Sequence, residues 1–216
     1  AIGLGGQAAY NNLSTPSAPI DKPSQVAQGK ISAPEVPSVS QQVITHAKSL
    51  LSKPRATPIY HAALQHGLRG DELAQFMAQC AHETINFSTL TELGGKLDFR
   101  KYEMKYNPEK ATELGNTKPG DGARFKGRGY LQITGRYNYT KIGKALGLPL
   151  DKHPELVENP EIAVQTALWY WDNVVKRKTT DFSNTASTTK PINSAMRGLE
   201  DRKNKFIGIK HVLTQK

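Results

Sequence analysis

The sequence is most informative about structure at residues 71–84, which read DELAQFMAQCAHET. Its apolar side chains recur at the spacing of one helix face: Leu73, Phe76, Met77 and Cys80. Asp71 stands where an N-cap is expected, so the stretch predicts an amphipathic helix that packs in a core. Cys80 lies inside the apolar stripe and is predicted to be a small core residue.

Helical periodicity continues on both sides of this stretch. Upstream it predicts a helix from Gln41 that Pro54 stops, and a short helix over 59–68. Downstream, Asn159-Pro160 is predicted to cap and open a helix to about Val175. The remaining predicted elements are a strand over 130–134, a helix capped by Thr134 that runs to Gly147, a short helix opened by Pro191, and a terminal helix marked by Leu199 and Leu213.

The chain divides into two parts by composition. Residues 1–40 contain segments rich in Pro, Ser, Ala and Val, which bury too little apolar area to offset their ordering entropy. We therefore expect an extended arm or linker over 1–40 and a domain over 41–216. The glycines and prolines between residues 93 and 129 predict loops. The predicted fold class is mainly α, with a small β region lining a cleft.

Charge narrows the classes of partner. The chain carries a net charge of +10, and residues 173–216 hold 10 basic and 3 acidic side chains, a net of +7. Such a segment attracts polyanions such as nucleic acid, acidic lipid headgroups or an anionic cell wall, unless it is only a Lys-rich face that serves solubility. Aromatic residues are not interleaved with the basic ones, which disfavours nucleic acid.

Several other classes of protein and site are excluded or disfavoured by the sequence. No run approaches 18 apolar residues, so no transmembrane helix is predicted, and residues 1–10 lack the pattern of a secretory signal. A single cysteine excludes an intrachain disulfide. His82-Glu83 lacks the second His of the zinc-protease motif, because position 86 is Asn86. We find no nucleophile elbow and no phosphate-binding loop, and we predict neither a metal nor a cofactor.

The remaining candidate for a catalytic site is a pair of carboxylates. Glu83 ends an otherwise apolar helix, where burial would favour the neutral acid that a proton donor needs. Glu92 follows nine residues later and is close enough in the chain to face Glu83 across a cleft. Two carboxylates in different surroundings suit glycoside hydrolysis. The alternative is structural: Glu83 caps the helix or forms an ion pair with Arg128.

Four blocks of the sequence resemble glycoside hydrolase family 19, a family of chitinases and phage endolysins. Residues 76–84 resemble its catalytic helix, and residues 125–139 resemble its Gly-Arg-Gly and Gln-Leu-Thr substrate motif. The third block, 154–171, is similar to the Trp helix that follows, and the fourth contains Ile192-Asn193 and Asp201-Arg202. Their order between about residues 75 and 213 is that of the family. The resemblance implies a lysozyme-like helical domain.

The resemblance also implies roles for individual residues. Glu83 would be the general acid and Glu92 the general base of an inverting mechanism, with carboxyl groups about 6.5–9.5 Å apart. Gln132 and Thr134 would hold water and sugar, and Asn193 would bind substrate. Two further pairs are implied: Arg128 or Arg202 to tune the acidic pair, and Tyr130 and Tyr137 to stack on sugar faces, unless one of these tyrosines packs beneath the strand.

The leading hypothesis is a phage-type peptidoglycan hydrolase that cuts the β-1,4 bonds of the N-acetylated glycan. The lone cysteine is typical of the phage and bacterial branch, because the plant chitinases of the family carry several disulfides. We expect the protein in a virion or tail, or in the host cytoplasm before its release to the periplasm and cell wall, with residues 1–40 contacting virion proteins. The alternatives are a chitinase and a non-catalytic wall-binding or structural module, although such a module would be expected to lose Glu83.

Overall fold

The computed structural model describes residues 38–215, and in that part of the chain nine α-helices are joined by turns and loops. Their bounds are α1 Gln41–Leu51, α2 Ala56–Gln65, α3 Gly70–Glu83, α4 Pro108–Leu114, α5 Asp121–Arg124, α6 Arg136–Leu146, α7 Pro160–Tyr170, α8 Thr185–Thr189 and α9 Leu199–Thr214. Two 3₁₀ helices, Asp98–Tyr102 and Pro154–Glu158, and a π-helical turn, Trp171–Val175, accompany them. The predicted mainly α fold is confirmed. The predicted arm lies outside the described residues except for its last three.

The core is centred on α3, which is buried continuously from Leu73 to Ala81. Helix α9 packs against both α3 and α1. Gly208 permits the close approach to α1, since a Cβ there would lie 2.7 Å from the carbonyl oxygen of Val43. Cys80 is 0% exposed, which confirms it as a core residue, and burial raises the pKa of its thiol well above the ordinary value.

Helix ends agree with the sequence in some places and differ in others. Asn159 caps α7 as predicted, with its side-chain oxygen accepting hydrogen bonds from the backbone N–H groups of the next turn. Helix α3 begins two residues earlier than predicted, with Arg69 at the N-cap in place of Asp71. Asp71 therefore lies in the first turn, where its carboxylate complements the helix dipole and pairs with Lys210 Nζ at 2.8 Å.

The predicted strand over 130–134 is wrong. The chain makes a tight turn there, because Gly129 and Gln132 both adopt positive φ, at 78° and 50°. Only isolated antiparallel bridges remain in the described part of the chain, and they join Arg128 to Thr91 and to Ile133. The predicted cap is wrong as well, because α6 begins after Gly135 and the Thr134 hydroxyl donates to the carbonyl of Gln132.

The helix predicted to open at Pro191 is also wrong. The short helix of this region is α8, and Asn184 sets its start by accepting from the backbone N–H groups of Ala186 and Ser187. Pro191 follows α8 and lies in the turn through which the chain leaves it. Among the described residues, no helix is both long enough and apolar enough to span a bilayer.

Candidate active site

Glu83 is the last residue of α3, and its side chain is 16% exposed. Its Oε1 accepts a hydrogen bond from Nη2 of Arg202 at 2.5 Å, and Arg202 is buried in the second turn of α9. His82 fixes the same helix end, with its Nδ1 2.5 Å from a carboxylate oxygen of Asp201. The acid predicted from the sequence therefore sits in an ion pair with α9 and not in an apolar pocket or beside Arg128.

Glu92 lies on the bridge that pairs residues 90–92 with residues 127–129. Its Oε1 accepts hydrogen bonds from Lys101 Nζ at 2.8 Å and from the Tyr102 hydroxyl at 3.0 Å. Its Oε2 accepts from the backbone N–H of Gly127 at 3.0 Å. Three donors on a carboxylate that is 20% exposed fix its orientation.

Gly127 is the point around which three polar side chains gather. A Cβ at this position would lie 2.7 Å from Gln132 Oε1, 3.1 Å from Glu92 Oε2 and 3.3 Å from Thr134 Oγ1. The missing side chain thus leaves a small polar space lined by hydrogen-bonding atoms. Gln132 and Thr134, both predicted from the sequence, share this space with Glu92.

The two carboxylates act on the groups around them. Burial and the negative charge of Glu92 raise the pKa of Tyr102. Burial opposes protonation of Lys101, but its hydrogen bonds and charge interactions with Glu92 and Tyr102 together outweigh burial and raise the lysine pKa. Near Glu83, burial and the carboxylate charge raise the pKa of Tyr170 to about 12. These neighbours stay protonated around neutral pH and remain donors.

Two predicted site residues are placed elsewhere. Tyr130 is 0% exposed and its hydroxyl donates to the carbonyl of Arg55, so it packs in the core and is not available to a sugar. Arg128 is also buried, and its Nε binds Glu158 at 2.8 Å while its Nη1 donates to the Tyr139 hydroxyl. It therefore holds the turn together and contacts neither Glu83 nor Glu92.

The remaining predicted residues occupy the segments around α8 and α6. Asn193 is half-buried, and its side chain has no hydrogen-bond partner within residues 38–215. Tyr137, which was predicted with Tyr130 to stack on a sugar, is 56% exposed on α6. These two side chains are accessible to a ligand, whereas Tyr130 is not.

Sequence reasoning missed three residues that define the environment of Glu92. Lys101 and Tyr102 were not singled out, although they follow Glu92 at nine and ten residues and belong to a 3₁₀ helix. Gly127 was quoted as part of a motif but given no role. An acid followed by a clustered Lys-Tyr pair was the available signal, and the loop-rich composition of the segment hid it.

The carboxylates are joined by an unusual backbone. Ile85, Asn86 and Phe87 all adopt left-handed φ, at 50°, 58° and 58°. This turn follows Glu83 closely in the chain. Among residues 38–215, no group of three or more His, Cys, Asp and Glu side chains is arranged to hold a metal ion.

A helical domain that presents two partly exposed carboxylates, one ion-paired at a helix end and one held beside a polar turn, has groups of the kind that glycoside hydrolysis uses. Comparison of the sequence with models of known protein families identifies the family. The model of glycoside hydrolase family 19, described as chitinase class I, matches residues 40–198. The chain therefore belongs to glycoside hydrolase family 19.

Relatives and solved structures agree with this assignment. A family 19 domain-containing protein of Haemophilus influenzae is 32% identical over 151 residues, covering 60% of this chain and 74% of its own length. An endochitinase of Arabidopsis thaliana is 38% identical over 106 residues, covering 49% of this chain, but only 37% of the plant protein is spanned.

The fold is shared with two solved chitinases. A bacterial family 19 chitinase superimposes with a TM-score of 0.59 at 21% identity, over 79% of this chain and 95% of the other. Chitinase C of Streptomyces griseus superimposes with a TM-score of 0.53 at 23% identity, over 81% of this chain and 84% of the other. The chain is a glycoside hydrolase with the helical fold of this family.

Proposed function

We propose that this glycoside hydrolase cuts the β-1,4 bonds of the N-acetylated glycan of peptidoglycan, with Glu83 as general acid and Glu92 as general base. The observation that carries the proposal is the difference between the two carboxylates. Glu83 meets a single guanidinium at a helix end, whereas Glu92 is held by three donors beside the polar space at Gly127.

In the proposed single displacement, Glu83 gives its proton to the glycosidic oxygen as the bond to the anomeric carbon breaks. Arg202 then stabilises the carboxylate that this transfer leaves behind, through the hydrogen bond at 2.5 Å. The guanidinium is buried and needs no movement to do so, which is the preorganised arrangement that lowers a barrier.

In the same step, Glu92 takes a proton from the water that attacks the anomeric carbon. The donors at Glu92 fix its two oxygens, and the oxygens of Gln132 and Thr134 around Gly127 can orient that water or a sugar hydroxyl. The bond from water to carbon forms as the bond to the leaving oxygen breaks, so the product carries the inverted configuration.

Charge favours peptidoglycan over neutral chitin as the substrate. The chain has a net charge of +10. Peptidoglycan carries stem peptides and is anionic, so the opposite charges attract. In the segment that follows Glu92, Lys96, Arg100 and Lys105 are exposed to solvent, where they can meet acidic groups of a wall polymer. Chitin is the second candidate, because the plant and bacterial relatives are named chitinases.

We also propose where the protein acts. A basic hydrolase of the bacterial envelope fits a phage lysin, carried in a virion or tail or released from the host cytoplasm to the cell wall. In that setting residues 1–40 would contact virion proteins. The lone cysteine and the basic composition support a role in the envelope.

The test is digestion of purified peptidoglycan beside chitin oligomers, with mass spectrometry of the soluble products. Muropeptides with reducing N-acetylmuramic acid would identify a muramidase, and reducing N-acetylglucosamine ends a glucosaminidase. Release from chitin alone would overturn the peptidoglycan proposal in favour of a chitinase. No product from either would support a non-catalytic module.

The matched variants are Glu83→Gln and Glu161→Gln. The first should lower the rate at least about 100-fold, the range in which a general acid contributes. Glu161 is an exposed carboxylate in the first turn of α7 with no ion pair among the described residues, and its variant should keep the full rate. Undiminished cleavage by Glu83→Gln would contradict the assignment of the acid.

A further inference from the structure

Helix α3 carries a ladder of polar side chains through the middle of the apolar core. Gln75, Gln79 and Glu83 are spaced four residues apart and so lie along one face of the helix. Gln75 and Gln79 are both 0% exposed. Buried amides are expensive unless they are hydrogen-bonded, so their partners are informative.

Each glutamine reaches a threonine of α8. Gln75 Nε2 donates to Thr185 Oγ1 at 2.8 Å, and Gln79 Nε2 donates to Thr189 Oγ1 at 3.0 Å. The two rungs differ at the other amide atom. Gln79 Oε1 accepts from Arg202 Nη1 at 2.5 Å, whereas Gln75 Oε1 is buried and has no hydrogen-bond partner among residues 38–215.

The available hydroxyl and amide protons determine how the side-chain amide of Gln79 is oriented. The Thr189 hydroxyl donates its only proton to the carbonyl of Thr185 at 2.7 Å, so toward Gln79 it can only accept. Gln79 must therefore present its NH₂ group to Thr189 and its carbonyl oxygen to Arg202. The flipped amide would place two donors against the guanidinium and two acceptors against each other.

Arg202 is oriented by this rung from one side and by the backbone from another. Its Nε donates to the carbonyl of Arg197 at 3.1 Å, and its Nη1 to Gln79, which leaves Nη2 aimed at Glu83. Arg202 is 1% exposed, so solvent supplies no alternative partner. The plane of the guanidinium at Glu83 is thus set by atoms that never touch a substrate.

We propose that Gln79 and Thr189 are positioning residues for catalysis, which hold the Arg202 guanidinium on the Glu83 carboxylate. This inference rests on the proposed role of Glu83 as the acid. Its consequence is specific: disturbing the rung slows the chemical step and leaves substrate binding intact. The neighbouring Gln75 rung, which has the same burial and helix but no contact with Arg202, has no such effect.

The test uses two matched pairs of variants in the full chain. Thr189→Val removes the acceptor of the Gln79 amide and preserves side-chain volume, and Thr188→Val is its control. Thr188 is equally buried on α8, and its hydroxyl donates only to the carbonyl of Asn184. Gln79→Leu and Gln75→Leu form the second pair on α3.

We expect Thr189→Val to lower kcat about fivefold to tenfold with KM unchanged, the loss that follows from one misdirected buried hydrogen bond. Gln79→Leu should lower kcat further, because it leaves a guanidinium donor unpaired. Thr189→Ser restores the acceptor and should restore kcat. Thr188→Val and Gln75→Leu should keep kcat within about twofold, at thermal midpoints similar to those of their partners.

The assay uses the soluble glycan that the unaltered protein cleaves and includes Glu83→Gln. Equal kcat for Thr189→Val and Thr188→Val, with Glu83→Gln inactive, would overturn the positioning role and leave the proposed function standing. Full activity of Glu83→Gln would instead remove the acid assignment on which the inference rests. If Gln79→Leu fails to fold, the threonine pair alone decides.

Discussion

Two regions of the molecule hold the two carboxylates in opposite ways. Glu83 belongs to the helical region formed by α1, α3 and α9, where it ends a buried helix and its partner Arg202 comes from another. Glu92 belongs to the loop region between residues 90 and 135, where short turns, a 3₁₀ helix and isolated bridges surround it.

The difference shows how each region achieves rigidity. In the helical region, apolar packing fixes the backbone and a few buried polar groups aim one guanidinium. In the loop region, the side chains of Glu92, Glu103 and Asp121 accept hydrogen bonds from backbone N–H groups, so charge organises the chain. A small change in the loop region should therefore alter chemistry or acid stability rather than core packing.

The largest effect is expected at Gly127. In Gly127→Ala the new methyl group would enter the space between Gln132, Glu92 and Thr134, with a contact as short as 2.7 Å. We expect kcat to fall about 100-fold or more, because displacement of a catalytic group by about 1 Å has that effect. Steady-state kinetics and a thermal melt measure activity and folding separately.

Gly95→Ala is the control for that variant. Gly95 lies in the same loop region, and the nearest atom to an added Cβ is Asp98 Oδ2 at 3.9 Å, an ordinary contact. Its kcat should be unchanged. A Gly127→Ala protein that folds and retains full activity would contradict the role given to the polar space beside Glu92.

A second effect concerns acid stability of the loop region. The Asp121 carboxylate is 2% exposed, and it accepts from Arg136 and from the backbone N–H groups of Thr117 and Lys118. Burial would raise the pKa of Asp121, but these hydrogen bonds outweigh it and hold the pKa below the ordinary value. The stabilisation is therefore complete above about pH 4 and is lost as pH falls through the lowered pKa.

We expect Asp121→Asn to lower the free energy of unfolding by about 2 kcal/mol at neutral pH. Since the native carboxylate loses its advantage in acid, the difference between variant and unaltered protein should shrink below about pH 4. Urea denaturation at several pH values measures it. Asp98→Asn, an exposed carboxylate of the same region, should change stability by less than about 0.5 kcal/mol. If the difference in unfolding free energy between Asp121→Asn and the unaltered protein were the same at all pH values, the charge of Asp121 would not be the source of the stabilisation.

The same contrast explains what could be predicted from the sequence. Periodicity predicted the helical region because a buried helix repeats its apolar residues, and it placed Cys80 and the Asn159 cap correctly. The segment that turns between Gly129 and Gln132 was predicted as a strand because apolar and polar residues partly alternate there. In the structure two neighbours in this turn, Tyr130 and Leu131, are both buried.

The ion pairs between residues distant in the chain could not be predicted from the sequence either. Arg202 meets Glu83 across 119 positions of sequence, and Arg128 instead meets Glu158. Either arginine suited an acidic partner by charge alone, so only the packing of α9 on α3 decides between them. The environment of Glu92 was missed for a similar reason, since Gly127 acts through an absent side chain.

The smallest effect tests the joint between the two regions, the left-handed turn at residues 85–87. Ile85 is β-branched, has a φ of 50° and is 54% exposed, so packing does little to offset its strain. Asn tolerates this conformation better, and Ile85→Asn should raise the free energy of unfolding by up to about 1 kcal/mol, a rise of about 2–4 °C in Tm.

Phe87 provides the contrasting control within the same turn. It shares the left-handed conformation but is 2% exposed and packs edge-on against Tyr130, at 6.4 Å between ring centroids. Phe87→Asn should therefore lower Tm, because lost burial exceeds the strain that is relieved. If Ile85→Asn also lowered Tm, the Ile85 side chain would be stabilising the joint, and strain at this position would not be the dominant contribution. Opposite shifts for the two variants would show that the joint is held by the buried aromatic ring and strained at the exposed residue nearest to Glu83.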